Sequence, residues 1–188
     1  MSQENIYVPF KSEILDVIKH TAKEYTFRMK FEGECKPGQF FEVSVPKFGE
    51  APISISGIGD DFVDLTIRRV GTVTNEVFEH YKGQYLLMRG PYGNGFDTSL
   101  YTDGETVVVA GGTGVSPVRG VIAALADSAA PKDKHVIVGF KSPDDMLFRD
   151  DLKDWDAKLD LILTVDGAPE GYSGKVGLVT KYIPDLPL

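Results

Sequence analysis

TVVVAGGTGVSPVRG, residues 106–120, is the stretch on which the fold turns. Val107, Val108, Val109 and Ala110 are apolar without alternation, the pattern of a strand buried on both faces. Gly111, Gly112 and Gly114 then let the backbone turn sharply and come close to a ligand. Ser116 is the expected N-cap of a following helix and Pro117 its first residue. Val118, Val121, Ile122 and Leu125 recur at helical spacing and give that helix one apolar face. Strand, glycine turn and helix N-terminus together make a cradle for a pyrophosphate, because free N–H groups and the helix dipole both favour an anion there. The glycines read G-x-G-x-x-P rather than the full G-x-G-x-x-G, and no Asp or Glu ends the next strand. On this stretch alone, a strand–glycine–helix turn that binds no nucleotide stays open.

Downstream the pattern continues as βαβ. A strand is expected over 135–140, a helix over 143–155 with Ser142 and Asp145 spaced as a capping box, and a strand over 159–165. Upstream the period changes. Residues 13–20, 25–31, 39–45, 52–56, 62–69 and 84–89 read as six short strands, interrupted by one helix over 74–81 on which Val77, Phe78 and Tyr81 share a face. The expected architecture is a small closed antiparallel barrel over 1–100, then a doubly wound α/β domain over 101–188.

The chain has 188 residues, enough for two small cores. Its net charge of −8 argues against nucleic acid, whose phosphates would repel it. No basic and apolar leader opens the sequence and no apolar run approaches the roughly 20 residues that span a bilayer, so a cytoplasmic protein without a membrane span is expected. One cysteine, Cys35, permits neither an internal disulfide nor a cysteine-ligated cluster. His20, His80 and His135 are scattered and match no metal-ligand spacing. Asp144, Asp145, Asp150, Asp151 and Asp154 read as the solvated face of one helix.

Taken in order, APISISG (51–57), DLTIRRVGTVTNEVFE (64–79), RGPYGNGFD (89–97), the glycine turn and GFKSPDDMLFRDDL (139–152) resemble the ferredoxin–NADP reductase superfamily. Within it the chain is most similar to the B-subunit family of anaerobic sulfite reductases, with the electron-transfer subunit of dihydroorotate dehydrogenase B a near relative. The resemblance implies an FAD-binding barrel and an NAD(P)H-binding second domain. It places Pro52, Ile53 and Ser54, then Thr66, Ile67 and Arg68, then Val73 and Thr74, on the flavin, with Ser54 near the reactive ring nitrogen. Ala51 stands where the family has a pyrophosphate-binding arginine, and Ile53 where many members have a stacking aromatic. Arg68, on the outward face with Thr66, is the expected substitute cation. Thr74 is expected beside the pyrophosphate, or as the N-cap of its helix. Gly111, Gly112, Thr113, Gly114, Val115 and Pro117 fall on the pyridine-nucleotide loop, and Phe140 and Lys141 where the adenosine ribose would lie.

The family pattern runs on into a strand beneath the nicotinamide and a cysteine-rich segment holding an iron–sulfur cluster. Neither stands in this sequence, so the resemblance implies a doubly wound domain that is incomplete here, its strand 107–110 left at an edge. It also implies partners: a catalytic sulfite reductase subunit and an iron–sulfur subunit. A flavin-binding docking module without turnover and a cofactor-free scaffold remain alternatives.

Overall fold

The computed structural model describes residues 5, 7–102 and 104–186, in two compact units that meet in sequence between Phe96 and Asp97. The first unit contains strands β1 (Phe10–Lys19), β2 (Glu24–Lys30), β3 (Phe40–Val45), β4 (Gly49–Ile58), β5 (Phe62–Arg68) and β6 (Tyr85–Tyr92), with helix α1 (Thr72–His80) between β5 and β6. They close into a barrel in the order β1-β2-β5-β4-β3-β6, every pairing antiparallel. Period-two alternation builds it: Phe27 and Met29 of β2 are fully buried with Leu65, Ile67, Phe41 and Met88, while Thr26 and Arg28 lie on the other face. Each such buried apolar side chain contributes about 1.5–3 kcal/mol. The expected face of α1 is the one that packs, with Val77 buried, Phe78 4.5 Å from the Tyr25 ring and Tyr81 5.5 Å from Phe27.

Several boundaries differ from expectation. Helix α1 starts at Thr72 with Gly71 as its N-cap, so Thr74 sits one turn inside rather than capping. Strand β6 extends through a cis Gly90–Pro91 bond to Tyr92. Beyond it, Phe96 N–H donates to the Pro37 carbonyl at 2.7 Å, and the Phe96 ring fills the space where Gly38, at φ +84°, would carry a Cβ. Only glycine fits at Gly38.

The second unit holds a single turn α2 (Ser99–Thr102), β7 (Thr106–Gly111), α3 (Val115–Ala126), β8 (Lys134–Phe140), α4 (Arg149–Lys158), β9 (Asp160–Val165) and the short β10 (Lys175–Val176). The sheet is parallel, in the order β10-β9-β8-β7. β8 is buried along its whole length. β7 pairs only with β8 among the described residues, and Val107 and Val109 are 37% and 41% exposed. The unbroken apolar run implies burial on both faces; in the fold the face that carries Val107 and Val109 is exposed, and the alternation that the valines conceal reappears.

The 143–155 helix is also corrected. Ser142 Oγ does donate to Asp145 Oδ2 at 2.5 Å, but the turn it starts, Pro143–Asp145, is a single 3₁₀ turn. Met146, Leu147 and Phe148 are consecutive and all buried, which no one face of a helix allows, and Phe148 adopts φ +52° to cap α4 instead. Arg119 of α3 grips Asp151 of α4 with two hydrogen bonds of 2.9 and 3.2 Å. Ile137 of β8 packs with Tyr182 and Leu186, in and just after the 3₁₀ segment Val179–Asp185. A Cβ on Gly139 would stand 2.4 Å from Val179 Cγ1, so that close approach requires glycine.

Candidate functional site

On the barrel, β4 turns Ile53 and Ile55 into the core and leaves Pro52 exposed and Ser54 half-buried on the outer face. Ser54 pairs with Phe40 of β3. Ile53 is 9% exposed and Ile67 is 1% exposed, so the core takes both side chains and what they can offer a ligand is chiefly backbone. Thr66 faces outward as expected, yet it is buried within a line of hydroxyls. Its Oγ1 lies 2.7 Å from both Thr26 Oγ1 and Ser56 Oγ, and His20 Nε2 closes the far end 2.8 Å from Thr26. The alternation of polar residues at 24, 26 and 28 against 64, 66 and 68 carries this network in the sequence, and the motif reading passed over it.

Arg68 shares that face and keeps its side chain 48% exposed, with Nε 3.3 Å from the buried Glu24. Arg69 turns to α1 and bonds Asn75 and Glu79. Thr74 ties the turn that starts α1. Its hydroxyl accepts from Val70 and Gly71 N–H at 3.0 Å each and donates to the Gly71 carbonyl at 3.1 Å. That oxygen is committed to the turn. No side chain caps the Gly71 end, no acidic residue sits in the first turn, and a Cβ on Gly71 would meet nothing within 4 Å. Val73 is half-buried, its Cγ2 3.7 Å from where Gly49 would carry a Cβ. A helix start with no side-chain N-cap, three residues after the half-exposed Arg68, suits a phosphate group.

The missing arginine at Ala51 is not replaced by Arg89. That guanidinium is held by Glu50 through contacts of 2.7, 3.0 and 3.1 Å and by Tyr92 Oη at 3.1 Å. Those bonds, with one from Ser44, hold the Glu50 carboxyl down at about 2.

In the second unit the glycine turn is a 3₁₀ turn over Gly112–Gly114, and α3 begins at Val115 with Gly114 as N-cap. Ser116 and Pro117 therefore lie inside the first turn, not at its boundary. The consequence is chemical: Ser116 Oγ caps nothing, and it and Thr113 Oγ1 are buried with no hydrogen-bond partner. Leaving a hydroxyl so costs about 1–3 kcal/mol, and such groups in a folded protein call for a ligand or water. Gly112 holds φ +53°, and a Cβ at Gly112 or Gly114 would meet open space. Val115 is fully buried and anchors the helix start. The donor set and the open cradle fit a nucleotide pyrophosphate. At the end of β8, Phe140 is 1% exposed and its carbonyl accepts Asp166 N–H at 2.8 Å, so its side chain belongs to the core. Lys141 is exposed there.

Elsewhere, burial pushes the Cys35 thiol above its ordinary pKa, unlike a reactive thiolate. No cluster of His, Cys, Asp or Glu suited to a metal ion occurs among the described residues, and no helix among them is long and apolar enough to cross a membrane.

Residues 108–185 match the family described as the oxidoreductase NAD-binding domain. The chain is 36% identical over 156 residues to sulfhydrogenase 2 subunit gamma of Pyrococcus furiosus, covering 79% of this chain and 54% of that one. It is 33% identical over 148 residues to a probable dihydroorotate dehydrogenase B (NAD(+)) electron transfer subunit of Pyrococcus horikoshii, again 79% and 54%. The chain thus spans about half the length of these curated relatives. Among solved structures, a ferredoxin reductase in carbazole 1,9a-dioxygenase superposes with TM-score 0.79 at 20% identity, over 94% of this chain and 56% of that one. The CS-b5R domains of human Ncb5or in the NAD+ form give 0.80 at 19%, over 96% and 58%. Residues 108–185 thus match the oxidoreductase NAD-binding domain family, in a chain that has the FAD/NAD-binding fold of the ferredoxin reductases.

Proposed function

We propose that this chain is the electron-transfer module of an oxidoreductase, taking electrons from NAD(P)H through FAD to a catalytic partner subunit. The observation that carries the reading is the pair of buried, unpartnered hydroxyls, Thr113 and Ser116, at an open glycine turn where Gly111, Gly112, Gly114, Val115 and Pro117 form a helix start. Lys141 would lie toward the adenosine ribose, with the Phe140 backbone at the strand end beneath it and the Phe140 ring in the core.

On the barrel, Pro52 and Ser54 would face the isoalloxazine, Ser54 as hydrogen-bond partner near the reactive nitrogen. Thr66 and Ile67 would shape the surface beneath, and Arg68 with the Val73 and Thr74 amides would meet the pyrophosphate. Bound FAD supplies the conversion of a two-electron hydride into single electrons. The chain's own residues contribute position and charge, since no acid–base pair or nucleophile is needed for that chemistry.

The terminal acceptor proposed from the sequence motifs is a sulfite reductase, reached through an iron–sulfur cluster held outside this chain. A second reading is favoured by the relatives in hand: partnership with a hydrogenase or a dihydroorotate dehydrogenase subunit. A cytoplasmic setting suits either. The test is a visible absorption spectrum of purified protein, followed by NADH addition without oxygen. Flavin bands that bleach support electron transfer. Bands that persist point to a docking module, and colourless protein that takes up no added FAD overturns the reading.

A further inference from the structure

Three buried hydroxyls on the outer face of the barrel stand in an unbroken line that ends on a histidine. Ser56, Thr66 and Thr26 are 1%, 5% and 1% exposed. Ser56 Oγ lies 2.7 Å from Thr66 Oγ1, which lies 2.7 Å from Thr26 Oγ1, which lies 2.8 Å from His20 Nε2. His20, just past the end of β1, is half-buried. Charge stands next to it: its backbone N–H donates to the Glu24 carbonyl at 3.0 Å, and the Glu24 carboxylate accepts from Thr21 and lies 3.3 Å from Arg68 Nε. At the other end, Ser56 occupies the bulge where β4 shifts register against β5, and a bulge re-aims a side chain. Ser54, where the flavin reading puts the reactive nitrogen, is two residues earlier on the same strand.

One bond sets the direction of the rest. Ser56 donates its hydrogen to the Asp64 carbonyl at 3.1 Å. A hydroxyl has a single hydrogen, so Ser56 accepts from Thr66, Thr66 from Thr26, and Thr26 from an N–H at His20 Nε2. Turned the other way, Ser56 donates to Thr66, Thr66 to Thr26, and Thr26 to a bare Nε2. A proton reaching Ser56 in that state moves three hydrogens one place along. Each oxygen gains one O–H bond and loses one, and the proton appears on Nε2. The observed arrangement is the one such a transfer leaves behind.

We propose that Ser56, Thr66, Thr26 and His20 form a relay that carries a proton from the flavin position to solvent. The proposal rests on the flavin reading and adds to it the route of the proton. A hydride brings two electrons and one proton; the electrons leave singly to a one-electron acceptor, and the proton has to leave as well. Imidazole is the side chain suited to take up a proton near neutral pH and hand it to water.

The experiment loads wild type, Thr26→Val and Thr26→Ser with FAD and reduces each with stoichiometric dithionite. Reoxidation by ferricyanide, a one-electron acceptor, is then timed in H2O and in D2O. Thr26→Val should bind FAD as wild type does and reoxidise about tenfold or more slowly, as loss of a placed proton carrier does. Thr26→Ser should restore both the rate and the slowing that wild type shows in D2O. A second readout needs no flavin: 15N NMR at about pH 8, where an ordinary imidazole is neutral, should find the His20 hydrogen on Nε2. That preference should vanish in Thr26→Val. A hydrogen on Nδ1 in wild type, or wild-type reoxidation in Thr26→Val, overturns the relay and leaves the flavin site standing. A wild type that takes up no FAD overturns the flavin reading and the relay together.

Discussion

Thr26 and Thr66, on neighbouring strands, place their hydroxyl oxygens 2.7 Å apart while both residues are buried. Thr66 also meets Ser56, so one hydroxyl joins β2, β5 and β4 on the outer face of the barrel. Removing it takes one hydrogen bond from each neighbour, while Thr26 keeps His20 and Ser56 keeps the Asp64 carbonyl. Thr66→Val should cost about 0.5–1.5 kcal/mol for each bond lost. Thr26→Val added to it should cost clearly less than the sum of the singles, because the bond is already gone. Chemical denaturation of the four proteins checks this, and additive losses would show that the network is not coupled.

Glu50 gives a signature in acid. Hydrogen bonds from Arg89, then Ser44, hold its carboxyl at about 2, below the unfolded value of about 4.3. A depressed carboxyl stabilises above the unfolded pKa and loses that contribution as pH falls through the folded one. The pair is partly exposed, so the effect should be small and weakened by salt. Between pH 4.5 and 2, Glu50→Gln should therefore lose stability less steeply than wild type. Parallel melting curves over that range report it, and identical slopes would contradict it.

Arg68 and Glu24 should act on flavin in opposite directions. Glu24 holds the guanidinium that would otherwise turn to phosphate. Arg68→Ala should weaken FAD binding by about tenfold to a hundredfold, the worth of a charge-assisted bond of roughly 1.5–3 kcal/mol. Glu24→Gln should tighten it. Equilibrium dialysis decides, and an Arg68→Ala protein that keeps wild-type affinity removes the residue from the site.

Strand β7 should be less protected than the barrel. It pairs only with β8 among the described residues, and its sequence carries no charge, proline or bulge to guard an edge. In hydrogen exchange the amides of 107–110 should exchange much faster than those of β3, which is paired on both sides. Equal, strong protection would mean that β7 is covered in solution.

Much of this was legible because periods survive folding. Alternation in β2 and β5 and the spacing of Val77, Phe78 and Tyr81 predict the barrel and its helix, and the glycine turn predicts the βα unit. What the sequence concealed depends on three-dimensional context. An all-valine strand cannot show which face is open, so β7 read as doubly buried. Ser142 and Asp145 announce a capping box but cannot say that the three buried residues after it end the helix. Ser116 reads as a cap because serine usually is one; only the extra 3₁₀ turn moves it inward and frees its hydroxyl.

The NADH affinity of Ser116→Ala tests the central claim most directly. Its hydroxyl is buried without a partner, so deleting it should leave the melting temperature unchanged or slightly raised. If that oxygen waits for the nucleotide phosphates, NADH binding by fluorescence titration should weaken by about tenfold, the worth of one hydrogen bond to a charged group. Wild-type NADH affinity in a stable Ser116→Ala protein would contradict the account, because the Ser116 hydroxyl would then take no part in holding the nucleotide.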